Sequence, residues 1–379
     1  MAHQVSIWEK ETIFAHQDVV IIGSGFTGLW SALFLKKKSP KARITILERS
    51  LIPTGASTRN AGFACFGSLS ELVWDAQTMG TDKMLQLVEM RYRGLERIQK
   101  YFGKDVIDFS LCGGYELYEN DAVAPEKLQE HIQYLNSLLK PVLDTKKTYR
   151  LADEKINEFG FGRTAHLVEN RQEGYLHSGK LLRALLQEVQ RLGVTVLNGI
   201  ETKTLHPNEK IIDVETANGF HFTADKVLLC TNAFTKQLIP EIDIVPGRGQ
   251  VLLTSPIKNL PFNGTFHSDE GFYYFRNLGN RVLLGGARNK AFDEETTTVM
   301  ETTAHIQQEL ENFLQQVILP RFQNQYVIDQ RWSGIMAFGK EKMPIVKQLS
   351  PHLFCAVRMS GMGVALAPVV AKQVTRMML

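Results

Sequence analysis

The segment "DVVIIGSGFTGLWSALFLKKK", residues 18–38, limits what this chain can fold into more than any other stretch. Val19 to Ile22 form a short β-branched run that stops at glycine, as a buried parallel strand does. Gly23, Gly25 and Gly28 follow. Then come Leu29, Ala32, Leu33 and Leu35 with no proline before Pro40, the pattern of a helix of about three turns. A second apolar run, Ile44-Thr45-Ile46-Leu47, ends in Glu48, 20 residues beyond Gly28. Glycine triplets are common in loops. A strand before, a helix after and an acid at this distance predict a βαβ dinucleotide-binding unit. Gly23 permits the tight turn, Gly25 lets backbone approach a pyrophosphate, and Gly28 lets helix and strand pack closely. Ser24, Phe26 and Thr27 complete the turn and the helix start, whose N–H groups and partial positive charge suit phosphate. Glu48 is placed to accept hydrogen bonds from a ribose. The alternative is a plain turn and an ordinary surface glutamate.

The stretch after Glu48, "RSLIPTGASTRNAGFACFGS", is rich in Gly, Ala, Ser and Thr. Such a tract builds no core of its own, but it can run as extended backbone along a long cofactor. With the βαβ unit near the N-terminus, it favours FAD over NAD. Arg49 falls beside Glu48 at the adenosine end, Arg59 and Asn60 at the pyrophosphate or ribityl chain, and Ala61, Gly62 and Phe63 at the flavin ring. A flexible loop is the competing reading.

Bulk properties exclude several function classes. With 43 Lys+Arg against 40 Asp+Glu, the net charge is +3, too balanced to argue for nucleic acid or an anionic membrane. The densest basic stretch, Lys36, Lys37, Lys38, Lys41 and Arg43, reads as a solvated helix end. Cys65, Cys112, Cys230 and Cys355 are far apart, with no C-x-x-C pair, which gives neither a zinc pattern nor a disulfide framework. Cys230 and Cys355 lie in apolar runs and read as small hydrophobes. No stretch has the length of a membrane span, and the N-terminus has no apolar signal region, so a reducing cytoplasm is the expected location. At 379 residues there is room for about two domains.

Within that tract, "GASTRNAGF" resembles the corresponding segment of the D-amino acid oxidase-like superfamily of FAD enzymes, and the γ-glutamylputrescine oxidase type most of all. Further segments are similar in the same order: "GYLHSGKLLRALLQEVQRLGVTVLNGIETKTL" (174–205), "ADKVLLCTNAF" (224–234), "IVPGRGQVLLT" (244–254), "YYFRNLGNRVLLGGARNK" (273–290) and "MSGMGVALAP" (359–368). The resemblance implies noncovalent FAD, since no cysteine stands near Ala337-Phe338, where a related branch attaches its flavin. It implies that Thr202 contacts the adenine, that Thr231, Asn232 and Gly334 also line the cofactor, and that Gly361, Met362, Gly363, Val364 and Ala365 bring a helix N-terminus to the flavin. The implied fold class is α/β: a Rossmann-like, glutathione-reductase-like FAD domain on a parallel sheet, interleaved with an α+β substrate domain on a mostly antiparallel sheet. The FAD domain would come from 1–85, 150–230 and 330–379, and the substrate domain from 86–149 and 231–329. The residues support this organisation. Leu182, Leu185, Leu186 and Val189 mark an amphipathic helix over 178–192, and Val194 to Leu197 a parallel strand. Residues 81–102 and 125–139 read as helices with "GGYELYEN" as a strand between them. Residues 299–318 read as a long helix, and 248–290 as antiparallel strands with turns at Asn263-Gly264 and Gly279-Asn280.

The implied chemistry is oxidation of a C–H next to nitrogen by hydride transfer to flavin N5, with hydrolysis of the imine and O2 as the acceptor, giving hydrogen peroxide. Amino-acid oxidases of the superfamily clamp the substrate carboxylate with arginine. Here the aligned positions are Met336 and Gly361, so an amine without a clamped α-carboxylate, such as a modified polyamine, is expected. Arg331, Arg276 and Arg288 are the arginines that could substitute. Phe63, Tyr273, Tyr274 and Trp332 are the candidates for the catalytic face; the two tyrosines are adjacent in a strand, so only one can point to the flavin. His267 lies near them and reads more readily as a loop histidine. The alternatives are a D-amino acid, glycine or sarcosine oxidase or dehydrogenase passing electrons to a quinone, a tRNA-modifying member of the superfamily, and a flavin-binding protein without turnover.

Overall fold

The computed structural model describes residues 4–119, 123–143, 145 and 147–379. The chain divides into two compact units, each assembled from separate segments. The first is Met1–Thr58, Ser178–Gly247 and Met336–Leu379; the second is Arg59–His177 and Arg248–Ile335. Residues 59–85, 150–177 and 330–335, grouped by sequence with the cofactor domain, fall in the second unit, and 231–247 fall in the first.

The first unit is built on a sheet ordered Ile345–Ser350, Leu353–Val357, His221–Leu229, Gln17–Ile22, Ile44–Glu48, Thr195–Asn198. The last five strands run parallel and the first is antiparallel to its neighbour. Ile212–Thr216 pairs antiparallel with His221–Leu229 and carries Thr202–Pro207 beside it. The strand that leads into the glycines is therefore central, and Val20 and Ile21 have no exposure. The helix after it, Phe26–Lys38, is buried on nearly every side because it packs against helices Ser178–Arg191 and Gly363–Met378. That explains its almost unbroken apolar sequence. Lys36 corrects the reading of a solvated helix end. It is buried, and its Nζ donates to the carbonyls of Pro40 (3.1 Å) and Ala42 (2.7 Å). Its stem adds to the core while the ammonium caps carbonyls beyond the helix end.

The second unit is built on an eight-stranded sheet ordered Ile328–Phe338, Val245–Thr254, Arg281–Gly286, Tyr273–Leu278, Thr265–Ser268, Gly114–Glu119, Thr164–Asn170, Tyr149–Leu151. It is mostly antiparallel; Thr265–Ser268 and Gly114–Glu119 form a parallel pair. Gly279-Asn280 closes a hairpin as expected, with Gly279 at φ +61°. Asn263-Gly264 does not, because the strands on its two sides, Val245–Thr254 and Thr265–Ser268, are not neighbours. Helices Thr81–Tyr101 and Pro125–Leu143 form where expected. The strand read from "GGYELYEN" is Gly114–Glu119, and its Asn120 lies outside the described residues. The helix expected over 299–318 starts only at Ala304 and passes at Leu314–Ile318 into a π-helical turn. Leu69–Met79 is a helix that the small-residue tract before it did not announce.

The two faces of this sheet differ in chemistry. One carries the aromatic core, with Phe266 stacked on Phe275 at 4.7 Å and Phe161 edge-on to both, beneath helix Ala304–Phe313. Strand register sets a row on the other face: Val251, Gly285, Tyr274, His267 and Glu116 stand opposite one another. No helix among the described residues is long and apolar enough to cross a membrane.

Candidate functional site

In the first unit the glycine positions are dictated by backbone contacts. Gly23 has φ +102°, and a Cβ there would meet the carbonyl oxygen of Cys230 at 3.0 Å. A Cβ on Gly28 would come 2.0 Å from the Gly23 carbonyl oxygen, an overlap no relaxation of a flexible side chain can relieve. Gly25 is the N-cap of helix Phe26–Lys38 and supplies no capping side chain. Phe26 N–H donates to Ser57 Oγ (2.9 Å), while Thr27 and Gly28 add to the first turn's N–H groups, which have no intrahelical acceptor. Glu48 is 9% exposed and turns back toward the glycines. Its Oε2 accepts from Ser24 N (3.1 Å) and Ser24 Oγ (2.9 Å), and its Oε1 from Ser50 N (3.1 Å). Of roughly four acceptor positions on a carboxylate, three are taken, which leaves capacity for a ribose hydroxyl. Sequence reasoning missed the Ser24–Glu48 tie, although a hydroxyl residue between the first two glycines is its signal. Arg49 lies over the Phe234 ring, 3.7 Å from its centroid.

Thr202 opens an antiparallel strand, and its Oγ1 is buried without a partner among the described residues. Thr231 Oγ1 pairs with Thr235 Oγ1 at 2.8 Å, and Asn232, at φ +46°, accepts from Arg358 N (3.2 Å). These two residues therefore build the corner from which the C-terminal motif departs. In that motif Arg358 (φ +62°), Ser360 (φ +46°) and Gly361 (φ +82°) are all left-handed, a concentration of strained backbone of the kind found at ligand sites. Ser360 does not cap the helix that follows. Its Oγ donates to the Lys342 carbonyl (3.1 Å), and the N-cap of helix Gly363–Met378 is Met362, with no side-chain cap. Gly363, Val364 and Ala365 thus start a sixteen-residue helix with free N–H groups. Met336 Sδ lies 3.6 Å from where a Cβ on Gly361 would stand, so the two positions expected to hold carboxylate clamps are neighbours and carry no charge.

The second unit holds the remaining candidates. The tract at 59–63 is not a loose loop. Arg59 Nη1 donates to the Ser333 carbonyl (2.9 Å), Trp332 Nε1 donates to the Arg59 carbonyl (3.2 Å), and a Cβ on Gly334 would meet Arg59 Cβ at 2.9 Å. Asn60 Oδ1 accepts from Gly62 N (2.8 Å). Gly62, at φ +73°, sits where a Cβ would be 2.3 Å from the Leu176 carbonyl oxygen. Phe63–Ala64 pairs with Gly174–Tyr175. Phe63, Tyr274 and Trp332 come together, half-buried, around Ala61, Val251, Leu253 and Leu283. Phe63 is edge-on to Tyr274 (6.0 Å) and to His267 (5.1 Å). Tyr273 is not part of this group. It points to the opposite face and stacks on Phe313 at 4.3 Å, which makes it a core residue. His267 is a strand residue rather than a loop residue. Its Nε2 is buried without a partner, and burial pushes its pKa down to about 4.

The Glu116 end of the row on this face belongs to a buried polar network around residues 66–70 that no sequence motif announced. Glu173 Oε1 accepts from Phe66 N (2.7 Å) and Gly67 N (3.1 Å), and burial still raises its pKa to about 8. Arg91, fully buried, donates to the Phe66 carbonyl and to Glu71. Glu116 accepts from Ser68, Ser70 and Tyr118, and burial raises its pKa.

Two helix N-termini whose N-cap residues offer no side-chain cap, a glycine turn closed to any side chain, an acid at the end of the second strand and an orphaned threonine hydroxyl suit an adenine–flavin dinucleotide, and the first unit fits it. The fold and these features define a flavin-dependent oxidoreductase. The chain belongs to the DAO family, described as FAD dependent oxidoreductase, which matches residues 18–377. It is 26% identical over 376 residues to the probable oxidoreductase OrdL of Haemophilus influenzae, covering 94% of this chain and 81% of that one. It is 25% identical over 373 residues to the γ-glutamylputrescine oxidoreductase of Escherichia coli, covering 92% and 80%. Among solved structures, L-proline dehydrogenase from P. horikoshii superposes with a TM-score of 0.77 at 20% identity, covering 96% of this chain and 93% of that one.

Proposed function

We propose that the protein is an FAD-dependent amine oxidase whose substrate carries no carboxylate on the carbon that is oxidised. FAD, when bound, supplies the chemistry: it accepts a hydride equivalent from the C–H next to nitrogen, and O2 is the acceptor we assign for its reoxidation, with hydrogen peroxide as product. The chain's residues bind and orient. The backbone of Gly23 to Gly28, with Ser24 and Glu48, holds the adenosine diphosphate portion, and Thr202 the adenine. The start of helix Gly363–Met378 offers N–H groups and a positive dipole end to the flavin's polar edge. Arg59, Asn60, Gly62 and Gly334 keep the segment carrying Phe63 in one conformation.

Phe63, Tyr274 and Trp332 form the face assigned to the amine. Aromatic faces attract an ammonium before it is deprotonated, and the Tyr274 hydroxyl, with no protein partner among the described residues, is free to hydrogen-bond the nitrogen. An apolar wall also lowers an amine's pKa, which frees the lone pair that must push as hydride leaves. With the hydride equivalent taken by bound FAD, the part left to these side chains is to hold the amine as the neutral base with its lone pair available.

The observation that carries the substrate assignment is the contact of Met336 with Gly361: neither position offers a charge to an α-carboxylate. The similarity to γ-glutamylputrescine oxidoreductase supports the same class. The test is anaerobic bleaching of the flavin by a panel of polyamines, acylated polyamines, N-methyl amino acids and D-amino acids. Bleaching by amines without an α-carboxylate is expected. Fast bleaching by a D-amino acid, glycine or sarcosine would overturn the assignment, and slow reoxidation in air would move the enzyme to the dehydrogenases.

A further inference from the structure

Four arginines are buried among the described residues: Arg91, Arg248, Arg276 and Arg358. Three are matched by a carboxylate. Arg91 meets Glu71 at 3.0 Å, Arg248 meets Glu295 at 2.6 Å, and Arg358 pairs with Asp243. Arg276 is the exception. It is 3% exposed and forms no ion pair among the described residues. Its Nη1 donates to the carbonyls of Leu176 (3.3 Å) and Gly62 (3.5 Å), and its plane lies 4.1 Å over the Tyr175 ring. Its Nε is buried with no partner, and its Nη2 has none among the described residues. Burial pushes its pKa down to about 10, and Tyr175, Cys112 and Asp108 only soften that shift. A buried charge without a counter-ion is costly, and chains rarely keep one that nothing uses.

The position of Arg276 narrows the use. It stands two residues beyond Tyr274 on the same strand, so both point to the same face, roughly 7 Å apart along it. It lies opposite Leu283, a member of the cluster that includes Phe63, Tyr274 and Trp332. The edge left unused, Nε with Nη2, is the planar two-donor fork that a carboxylate accepts. We propose that Arg276 recognises a carboxylate on the substrate, set several bonds away from the carbon that is oxidised. The substrate class becomes an amine with a remote acidic group. This rests on the amine-oxidase reading above, and it agrees with uncharged residues at 336 and 361, because those positions concern an acid on the reacting carbon itself.

The test uses the FAD-loaded enzyme and two matched pairs. Butyrate and butyramide contain no oxidisable amine and are read by the shift they cause in flavin absorbance. 4-Aminobutyrate and 4-aminobutyramide are read by anaerobic bleaching. Each acid is expected to bind about 100-fold more tightly than its amide. Arg276→Gln should bring both ratios to about one, and Arg276→Lys, which keeps the charge but not the fork, should leave them in between. Equal binding of acid and amide to the unaltered enzyme would overturn the proposal, and that measurement stands even if the glutamine variant does not fold. So would a glutamine variant that weakens acid and amide by the same factor, which is what a purely structural hold on Gly62 and Leu176 predicts. If butyrate is preferred while no amine bleaches the flavin, the anion site stands and the amine reading falls. If amines bleach the flavin without preference for an acid, the reading stands and the anion site falls.

Discussion

The glycine turn of the first unit and the sheet face of the second are assigned comparable work in the proposed function, by opposite means. The turn binds through backbone. Its specificity resides in where side chains are forbidden, at Gly23 and Gly28, and in first-turn N–H groups that no N-cap side chain takes. The sheet face, as the proposed function assigns it, acts through side chains: Tyr274 and Arg276 on alternate positions of one strand, with Phe63 and Trp332 packed beside them from other parts of the chain. A backbone device must be written as a short local motif. A register device needs only alternation, and any residue can occupy its positions. At Gly23 and Gly28 any side chain meets backbone, whereas the strand positions of the sheet face accept side chains of many kinds.

That contrast can be broken at four points. The largest effect belongs to Gly28→Ala, whose methyl would overlap the Gly23 carbonyl oxygen. It should cost about 3 kcal/mol and weaken FAD by roughly 100-fold or more, read as flavin absorbance per protein on purification. Retention of full flavin content would remove the close-packing role of this turn.

Next is Glu173 in the second unit. It titrates at about 8 in the folded chain and near 4.5 when unfolded, because burial disfavours its charge. Between those pH values the folded chain holds more protons, so its contribution to stability declines as pH rises through that window. Glu173→Gln should flatten the decline and raise stability at pH 8 by roughly 2 kcal/mol, read by comparing Tm at pH 5 and pH 8. An unchanged profile would mean that Glu173 is ionised in the fold.

Glu48→Ala comes third. It leaves Ser24 N and Oγ short of their acceptor and should weaken FAD by about tenfold, roughly 1.5 kcal/mol, in a flavin titration. The smallest effect separates the two tyrosines. Tyr274→Phe should lower kcat/KM for the amine by about fivefold, roughly 1 kcal/mol, with Tm unchanged, while Tyr273→Phe should leave turnover as it was. The reverse result would assign the wrong face of the strand to the substrate.

The same contrast explains what could be read from the chain alone. Strand, turn, helix and acid at 18–48 were legible because each depends on neighbours within a few residues, and the parallel sheet around them followed. The choice between Tyr273 and Tyr274 was not legible, since alternation says only that they diverge; Phe313, 40 residues on, decides it. Nor was the hairpin reading of Asn263-Gly264 safe, because a turn dipeptide says nothing about which strands become neighbours. Lys36 looked solvated because its two carbonyl partners lie past the helix end. Glu173 carried no local signal, and nothing local set Arg276 apart from Arg288 and Arg331, because the surroundings of both residues come from segments far apart in sequence.

Gly285 shows how such a site can be retuned without touching the ligand. Its neighbour across the strand pair is Tyr274, whose ring occupies the space a Cβ at 285 would need, 2.6 Å from its carbons. The backbone there is not left-handed, so larger residues are conformationally acceptable. Alanine or serine at 285 would push the Tyr274 phenol aside and reshape the cluster it forms with Phe63 and Trp332. One methyl group at a position that carries no side chain would thus alter the face assigned to the amine.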